Sequence, residues 1–414
     1  MRSPRPRPIR LPAAAALSAT TLCVLVAGCG GGESAGQASS GKATLSMYAW
    51  SSSPAEDGVL RKAIDDYNKL GRATVKLNIL PEYDTALQTA LAGGEPPDVF
   101  YLNDNKVPDL AKAGALEPIG DKMDKPGDFY PTLKDSFTYK GTFYCPPKDF
   151  STLQLVYDKD ALAGAGVKPP TTWDELAAAA KALTKPDRPG LVLNAEFYRW
   201  GVFAVAAGGW LTDDAVTKAT ADTPEMTKGM ELLAGLHKAG YAASPQTVGA
   251  GWGGEALGKG KAAMTVEGNW IVGAMKTDFP KVKYGIAELP AGPAGKGTLS
   301  FSACYAVAKS SADTDAATDF VRFLTAPERQ LEFTKQFPVM PSRQSLAEKW
   351  LADKPELKPF VDGSTYARDS IFVPGFKPVI DDINDGIQGL AKGNRQVADV
   401  LTATQKVAES TLGG

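Results

Sequence analysis

The chain has 414 residues, and its 45 lysines and arginines nearly balance its 47 aspartates and glutamates, so the formal net charge is −2. This balance argues against nucleic acid or an anionic membrane surface as a partner, because both attract proteins with a basic surface. A chain of this length is too long for one ordinary hydrophobic core, and it predicts two domains.

Residues 1–28 have the layout of a secretory signal peptide. Four arginines and no acidic residue precede an alanine-rich apolar stretch at 11–27, which is too short to span a membrane comfortably. Small residues then lead to Cys29, in a sequence that resembles a bacterial lipobox, where the thiol receives a lipid. The alternative is an ordinary signal peptide followed by a chance cysteine.

Residues 29–42 are rich in glycine and serine and predict a flexible tether behind the lipidated Cys29. Cleavage after residue 28 removes four arginines, so that 41 basic residues face 47 acidic ones and the net charge becomes −6. No second long apolar run follows, and we expect the membrane to be reached through the lipid anchor only.

Strands and helices alternate in the first part of the mature chain. Strand patterns at 43–48, 74–80 and 98–102 are separated by helical patterns at 56–70 and 83–92. This alternation predicts a mostly parallel sheet with helices on both faces. Ligands bind beyond the carboxyl ends of such strands, where the loops at 50–53 and 103–105 lie.

The second half continues the α/β pattern. Extended segments at 142–149 and 152–157 precede a helix that begins at Thr172, where Glu175 three residues later forms a capping box. Further patterns predict helices at 224–239 and 313–324 and strands at 262–266 and 304–308. No repeat of fixed period indicates a solenoid.

Several short motifs imitate catalytic or nucleotide-binding signatures without their context. Residues 253–260 nearly form a P-loop but lack the Ser or Thr that holds magnesium, and residues 249–254 match G-x-G-x-x-G without an evident preceding strand. Residues 32–36 match the hydrolase nucleophile pattern inside the tether. The single histidine, His237, argues against a histidine triad or a multi-histidine metal site, and we predict no cofactor.

Five phrases stand in chain order at plausible spacing: 93–99 (GGEPPDV), 155–160 (LVYDKD), 169–176 (PPTTWDEL), 260–270 (GKAAMTVEGNW) and FL followed by PE at 323–328. Together they resemble the family 1 extracellular solute-binding proteins, the maltose-binding-protein-like group. The resemblance runs from about residue 45 to residue 383. Each phrase alone is weak, but their combination and order are specific for this family.

The resemblance implies a two-lobed α/β fold of the periplasmic-binding-protein type II class, with a mostly parallel sheet and flanking helices in each lobe. The expected lobes are 43–146 plus 304–350 and 147–303 plus 351–414, joined by a hinge that the chain crosses three times. The first two crossings would lie near 145–149 and 301–305. Cys145 and Cys304 would then be neighbours and could form a disulfide; two free buried thiols are the alternative.

A sugar has apolar faces that suit aromatic rings and a rim of hydroxyls that suits polar side chains. On this basis, and from family position, the predicted ligand residues are Trp50, Ser51, Asn105, Asp149, Tyr198, Trp210, Trp252, Glu267, Asn269, Trp270 and Arg343.

Trp270 is the first candidate for stacking, and its alternative role is to pack beneath its loop. Glu267 and Asn269 would contact hydroxyls or cap the following helix. Asn105 stands where some relatives carry a carboxylate, which makes a maltose-type ligand doubtful. Asp149 would contact the ligand or brace the hinge.

The other candidates also have two interpretations. Tyr198 would stack on the sugar, although its spacing to the next tryptophan differs from the family pattern. Trp210 and Trp252 lie in glycine-rich loops and would face either the pocket or the surface. Arg343 would reach the pocket or brace the lobes.

The leading hypothesis is a monomeric binding protein, anchored by Cys29 to the outer leaflet of the cytoplasmic membrane, that delivers a sugar to the permease of an ABC importer. One alternative is the same fold with a polyamine, a peptide or another non-sugar solute as ligand. The other is a secreted carbohydrate-active enzyme that uses two carboxylates.

Overall fold

The computed structural model describes residues 42–369 and 374–413. The predicted signal peptide at 1–28, the predicted lipidation site Cys29 and all of the predicted tether except Lys42 lie outside these ranges. Within them, no helix is long and apolar enough to cross a membrane.

Short strands alternate with helices along the chain. The strands are β1 (Thr44–Ala49), β2 (Thr74–Ile79), β3 (Val99–Asn103), β4 (Leu116–Glu117), β5 (Thr138–Tyr139), β6 (Thr142–Phe143), β7 (Ser151–Asp158), β8 (Leu191–Val192), β9 (Ala242–Ala243), β10 (Met264–Gly268), β11 (Tyr284–Ala287), β12 (Thr298–Phe301), β13 (Ala303–Ala308) and β14 (Ala367–Arg368). The helices are α1 (Pro54–Lys69), α2 (Tyr83–Ala92), α3 (Val107–Lys112), α4 (Pro131–Ser136), α5 (Lys159–Gly164), α6 (Trp173–Leu183), α7 (Phe197–Ala207), α8 (Pro224–Lys238), α9 (Gly253–Gly258), α10 (Ile271–Thr277), α11 (Thr314–Leu324), α12 (Pro327–Gln336), α13 (Ala347–Leu351), α14 (Lys358–Gly363), α15 (Lys377–Ala391) and α16 (Val397–Leu412).

The first sheet has the strand order β2-β1-β3-β13-β4. β1 pairs in parallel with β2 and β3, as the alternation of strands and helices predicts. β13 pairs antiparallel with β3 and β4. The first four residues of β3 are buried on both faces, which is expected for a strand covered by helices on each side. We call this sheet with its helices the first lobe.

The second sheet has the order β14-β12-β7-β10-β8-β9, with β11 also paired to β7. β8 pairs in parallel with β9 and β10, whereas β7 is antiparallel to β10, β11 and β12. We call this sheet with its helices the second lobe. Its core takes in the chain's last two helices, through Val379, Ile383, Val400 and Leu401.

The predicted two-lobed α/β fold is therefore present, but both sheets are mixed instead of mostly parallel. The difference arises where the chain returns from the other lobe. β13 enters the first sheet directly from β12 in the second, so no helical crossover fixes its direction as it does in a βαβ unit. The residue boundaries of the two lobes stay a prediction.

The amino-terminal cap of α6 follows the sequence prediction, except that one hydrogen bond involves a neighbouring residue. Thr172 caps α6 as predicted, because its hydroxyl accepts a hydrogen bond from the Glu175 backbone N–H at 3.3 Å. The reciprocal bond differs from the predicted capping box. The Glu175 carboxylate accepts from the backbone N–H of Thr171 at 2.7 Å, one residue before the cap.

Three chain segments connect the lobes side by side, and we call residues 145–150, 301–305 and 340–343 the hinge. The Lys148 backbone N–H donates to the Ala303 carbonyl at 2.8 Å. Phe150 and Met340 exchange two backbone hydrogen bonds, of 2.9 and 3.0 Å. The hinge is therefore a small patch of sheet-like pairing, with little freedom for one segment to slide past another.

A disulfide joins Cys145 to Cys304 across the first two hinge segments, with the Cα atoms 5.6 Å apart. The cysteines are separated by 159 residues in sequence, and both are buried. This is the pairing that the family resemblance implied, and it adds a covalent link to the backbone hydrogen bonds of the hinge.

Candidate functional site

In the first lobe, candidate side chains gather where β1 and β3 end. Trp50 follows β1, and Asp104 and Asn105 follow β3. Because the two strands are parallel neighbours, their carboxyl ends lie at the same edge of the sheet. The Trp50 ring packs edge-on against Tyr83 and Tyr101, with centroids 5.1 and 5.0 Å apart. The indole stays partly exposed and is supported from below.

In the second lobe, three partly exposed aromatic rings form a row. Phe301, at the end of β12, packs edge-on against Tyr198 of α7 and against Trp270, with centroids 5.8 Å apart in both pairs. Trp270 follows β10 and precedes α10. A Cβ at residue 268 would lie 2.2 Å from the Trp270 ring, so this ring rests directly on the backbone of Gly268. The family phrase G-x-W thus has a steric reason in this chain.

The two groups meet across the boundary between the lobes. Burial raises the pKa of the Tyr198 hydroxyl, the charge of Asp104 raises it further, and the neighbouring Asn105 side chain lowers it, so Asp104 and Asn105 lie close to Tyr198. Trp270 also packs against an apolar cluster that includes Val59 of α1 and Phe333 of α12. We call this region the interlobe site, and its residues are Trp50, Asp104, Asn105, Tyr198, Trp270 and Phe301.

The electrostatics of the interlobe site are unusual because its carboxylates lack cationic partners. Desolvation raises the pKa of Asp104 to about 7, although the residue remains partly exposed. Desolvation, with the charges of Asp135 and Asp104, raises the pKa of Asp369 to about 7. Neither Asp104 nor Asp369 forms an ion pair within the part of the chain that the structure describes. A cation or a donor group on a ligand would relieve this cost.

Two predicted ligand residues beside Trp270 are buried and hydrogen-bonded to other groups of the protein. Glu267 is fully buried, and one oxygen accepts hydrogen bonds from Trp270 Nε1 at 3.0 Å and from Arg199 at 2.9 Å. Asn269 is also fully buried, and its amide donates to the Phe150 carbonyl in the hinge at 3.0 Å. Each residue therefore holds protein groups in place, and contact of either one with solute hydroxyls stays a prediction.

Asp149 belongs to a charge cluster in the hinge. The Lys148 ammonium contacts the carboxylates of Asp149 and Glu56, the latter at 2.8 Å, and lies 5.0 Å from the centre of the Tyr101 ring. Burial would lower the pKa of Lys148, but the charges of Asp149 and Glu56 outweigh burial and raise it. Asp149 is 7% exposed and ion-paired in the hinge, which favours its second predicted role, bracing the hinge.

Arg343 is likewise a structural residue. It is 1% exposed, donates to the carbonyls of Thr325 at 2.8 Å and Lys125 at 3.2 Å, and stacks on Phe129 with 4.4 Å from the guanidinium carbon to the ring centre. Its donors bind groups of the first lobe, which favours the bracing role over contact with the ligand.

The remaining candidates have local partners. Trp210 is 5% exposed and packs against Phe197 with ring centroids 5.0 Å apart, which corrects its assignment to the ligand. Trp252 is partly exposed, but its ring covers Gly254 and packs on the cluster that contains Leu257. Ser51 is exposed, and its hydroxyl donates to Asp57 at 2.9 Å.

The sequence analysis did not select three residues that lie in the interlobe site or directly beside it. Asp104 lies in the loop that the strand pattern identified, but the amide beside it was selected instead. Arg199 follows Tyr198 directly, and its guanidinium carbon lies 5.4 Å from the centre of the Trp270 ring. The residues adjacent to Phe301 in the sequence do not distinguish an aromatic residue of the hinge from one of the core, so the sequence did not identify it.

A groove of about 440 Å³ elsewhere on the second lobe is lined by Lys185, Arg188 and Lys261 among other residues. These residues precede β8 and β10, so the groove lies at the amino ends of the parallel strands. Ligand sites of α/β sheets lie at the opposite, carboxyl ends. The groove is therefore separate from the interlobe site.

Comparison with known proteins agrees with the fold. A family profile described as bacterial extracellular solute-binding protein matches residues 62–359. The diacetylchitobiose binding protein DasA of Streptomyces coelicolor is 26% identical over 356 residues, which cover 80% of this chain and 82% of that protein. The maltotriose-binding protein of Pyrococcus abyssi is 27% identical over 214 residues, which cover 51% of this chain and 45% of that protein.

A solved structure extends the similarity to nearly the whole chain. The GacH receptor of Streptomyces glaucescens, determined unliganded and with acarbose, superposes with a TM-score of 0.81 at 25% identity, over 90% of this chain and 99% of that one. The resemblance seen in the sequence phrases is thereby confirmed. Because the family profile covers well over half of its length, the chain belongs to the bacterial extracellular solute-binding proteins.

Proposed function

We propose that this protein captures a sugar, either a monosaccharide or an oligosaccharide, in the interlobe site and delivers it to the membrane subunits of an ABC importer. The observation that carries the proposal is the row of partly exposed rings at Tyr198, Phe301 and Trp270, with Asp104 and Asn105 opposite. Rings suit the C–H faces of a sugar, and carboxylate and amide groups suit its hydroxyls. The names of the relatives, which bind diacetylchitobiose and maltotriose, support this class of ligand.

Capture works by closure of the lobes around the solute. A sugar that contacts both lobes stabilises the closed arrangement over the open one and so shifts the population between them. Micromolar affinity requires only about 8 kcal/mol, which a few stacked rings and charge-assisted hydrogen bonds supply.

The proposal also covers location and assembly. Membership of an extracellular family makes this an exported protein. We propose that a lipid on Cys29 holds it at the outer leaflet of the cytoplasmic membrane and that it acts as a monomer, since closure requires both lobes to move freely. Cys29→Ser should release the mature protein into the medium; retention of that variant in the membrane fraction would remove lipidation from the proposal.

The first experiment is a thermal-shift screen of residues 42–414 against mono- and oligosaccharides, with polyamines and amino acids in the same panel. A ligand that binds the folded state raises the melting temperature with concentration. Trp270→Ala should lower the affinity for the sugar that gives a thermal shift by at least about tenfold, because loss of a stacking indole removes roughly 1.4 kcal/mol or more of binding free energy.

The matched control is Trp252→Ala, which removes another partly exposed tryptophan of the second lobe from outside the interlobe site. Its affinity for the sugar should stay within twofold of the wild type. Equal losses in the two variants would remove Trp270 from the proposed binding surface.

A second candidate ligand is favoured by the unpaired carboxylates. Asp104 and Asp369, with Asp135 near them, make the interlobe site suitable for a protonated amine, as in a polyamine. A melting shift from polyamines with silence from every sugar would select this alternative. The enzyme hypothesis predicts that a bound oligosaccharide is cleaved, so we expect quantitative recovery of intact sugar after long incubation.

A further inference from the structure

The Trp270 ring is held on several sides before any solute arrives. Its Nε1–H donates to Glu267, the guanidinium of Arg199 lies on its ring, and Phe301 meets it edge-on at an interplanar angle of 87°. The backbone of Gly268 lies directly beneath the ring. These contacts fix both the position and the plane of the indole.

Glu267 links the contacts on two of those sides. A single carboxylate oxygen, Oε2, accepts from Trp270 Nε1 at 3.0 Å and from Arg199 Nη2 at 2.9 Å. Arg199 is braced further by Glu196, at 3.2 Å. Because both donors meet the same oxygen of a fully buried side chain, Glu267 restricts the indole and the guanidinium together.

The other face of Glu267 is enclosed by protein. A Cβ on Gly253, the first residue of α9, would lie 2.9 Å from Glu267 Oε1 and 2.2 Å from the hydroxyl oxygen of Thr265. Glu267 has no exposed surface. The glycine therefore leaves room for the carboxylate, and a larger residue there would push it towards Trp270.

We propose that Glu267 is a positioning residue that sets the plane of Trp270 for the solute, with Arg199 and Gly253 as its supports, and that it never touches the solute. The expected effect of Glu267 on sugar affinity rests on the proposed function. A ring that is already oriented loses less freedom on binding than one that must be immobilised, so its contact with the solute is worth more.

The first test needs no ligand. Protein labelled with 5-fluorotryptophan gives one fluorine NMR signal per indole, and the signal that disappears in Trp270→Phe identifies Trp270. Glu267→Leu should shift or broaden this signal, while Glu267→Gln, which keeps an acceptor for Nε1 but loses the charge, should change it less. An unchanged Trp270 signal in Glu267→Leu would overturn the proposal.

The second test is a double-mutant cycle with the sugar that the thermal screen selects. In protein that retains Trp270, Glu267→Leu should raise the Kd for the sugar at least about tenfold. Glu267→Gln should raise the Kd by less than Glu267→Leu does. In the Trp270→Ala background the same change should alter the Kd by less than about twofold, because the residue through which Glu267 acts is gone. Equal effects in both backgrounds would mean that Glu267 acts by another route, and the proposal would fail.

Gly253→Ala provides an independent variant if Glu267→Leu does not fold. It removes no polar group and lies behind Glu267, yet it should disturb the Trp270 fluorine signal and raise the Kd, again only when Trp270 is present. A wild-type protein that binds no sugar would defeat the proposed function, whereas the fluorine signals would still decide whether Glu267 positions the ring.

Discussion

The hinge and the interlobe site both contain carboxylates withdrawn from water, but they treat them differently. In the hinge, Asp149 and Glu56 share the Lys148 ammonium, which also faces the Tyr101 ring. In the interlobe site, Asp104 has the backbone N–H of Asn105 as its hydrogen-bond donor, at 2.7 Å. The hinge pairs its two carboxylates with a cation of the protein, while Asp104 in the interlobe site has no ion pair among the described residues.

This difference separates structural from ligand-binding polar residues better than residue type does. Asp149 and Asp104 are both aspartates, and each lies next to a strand that borders the interlobe region. Only their partners distinguish them. An ion-paired carboxylate has its charge compensated within the protein, whereas an unpaired and desolvated carboxylate gains from a cation or a donor group on a solute.

The largest expected effect concerns the hinge, where the carboxylates are ion-paired. Lys148→Met leaves two buried carboxylates without a cation and should lower the free energy of unfolding by about 3–5 kcal/mol. Urea unfolding followed by circular dichroism measures the change. Lys148→Arg, which keeps the charge, should lose clearly less.

The matched control is Lys62→Met, which removes another lysine that pairs with two carboxylates. Lys62 contacts Asp66 at 2.7 Å and Glu332 at 2.8 Å, but its side chain is 57% exposed. The change should lower the free energy of unfolding much less than Lys148→Met does, because exposed ion pairs contribute little. Equal losses at both sites would show that burial does not distinguish the hinge cluster.

The next effect concerns the covalent part of the hinge. The double variant Cys145→Ser, Cys304→Ser should lower the free energy of unfolding by about 2–4 kcal/mol, because the disulfide closes a long loop in the unfolded chain. The backbone hydrogen bonds of the hinge remain, so the Kd for the solute should change less than threefold. A large change in Kd with unchanged stability would mean that the disulfide sets the lobe arrangement instead of the fold's stability.

The smallest effect tests the unsatisfied side. The folded protein keeps a proton on Asp104 up to about pH 7, whereas an unfolded chain releases it near pH 4. The folded state therefore binds more protons in this window, and the contribution of Asp104 to stability falls as pH rises from about 4 to 7. Asp104→Asn removes that loss. The melting temperature of the variant minus that of the wild type should therefore be larger at pH 8 than at pH 5, by about 1–3 °C.

Asp160→Asn is the control for this pH series. Asp160 is 68% exposed and pairs with an equally exposed lysine, so its replacement should give the same small difference at both pH values. If the melting-temperature difference between Asp104→Asn and the wild type is also the same at both pH values, the Asp104 carboxylate is not the unpaired group. The contrast between the hinge and the interlobe site would then not hold for the interlobe site.

Local structure was largely predictable from the sequence. The helical pattern at 83–92 coincides with α2, and the cap at Thr172 starts α6. Both depend on neighbouring residues, which periodicity and capping rules describe well. Sheet direction was not predictable in the same way, because β13 meets β3 after an excursion through the second lobe.

The interlobe site stays a prediction, but the reasons for choosing its residues can be separated. Fold class indicated the loops at the carboxyl ends of β1 and β3, and the family resemblance singled out Asn105 and Trp270. The roles of Glu267, Asn269 and Arg343 could not be read from sequence. Burial and bonding partners decide whether such side chains face a solute or brace the protein, and those partners come from distant parts of the chain.

The place of β13 in the first sheet also governs the order in which this protein can be assembled. A chain emerges amino terminus first, so β1 to β4 are available long before β13, which must insert between β3 and β4. Until the second lobe has emerged as far as residue 308, those two strands have unpaired edges, and Cys145 waits as a thiol for Cys304. The first lobe to be synthesised is therefore unable to finish folding before the sheet of the second lobe is almost entirely present.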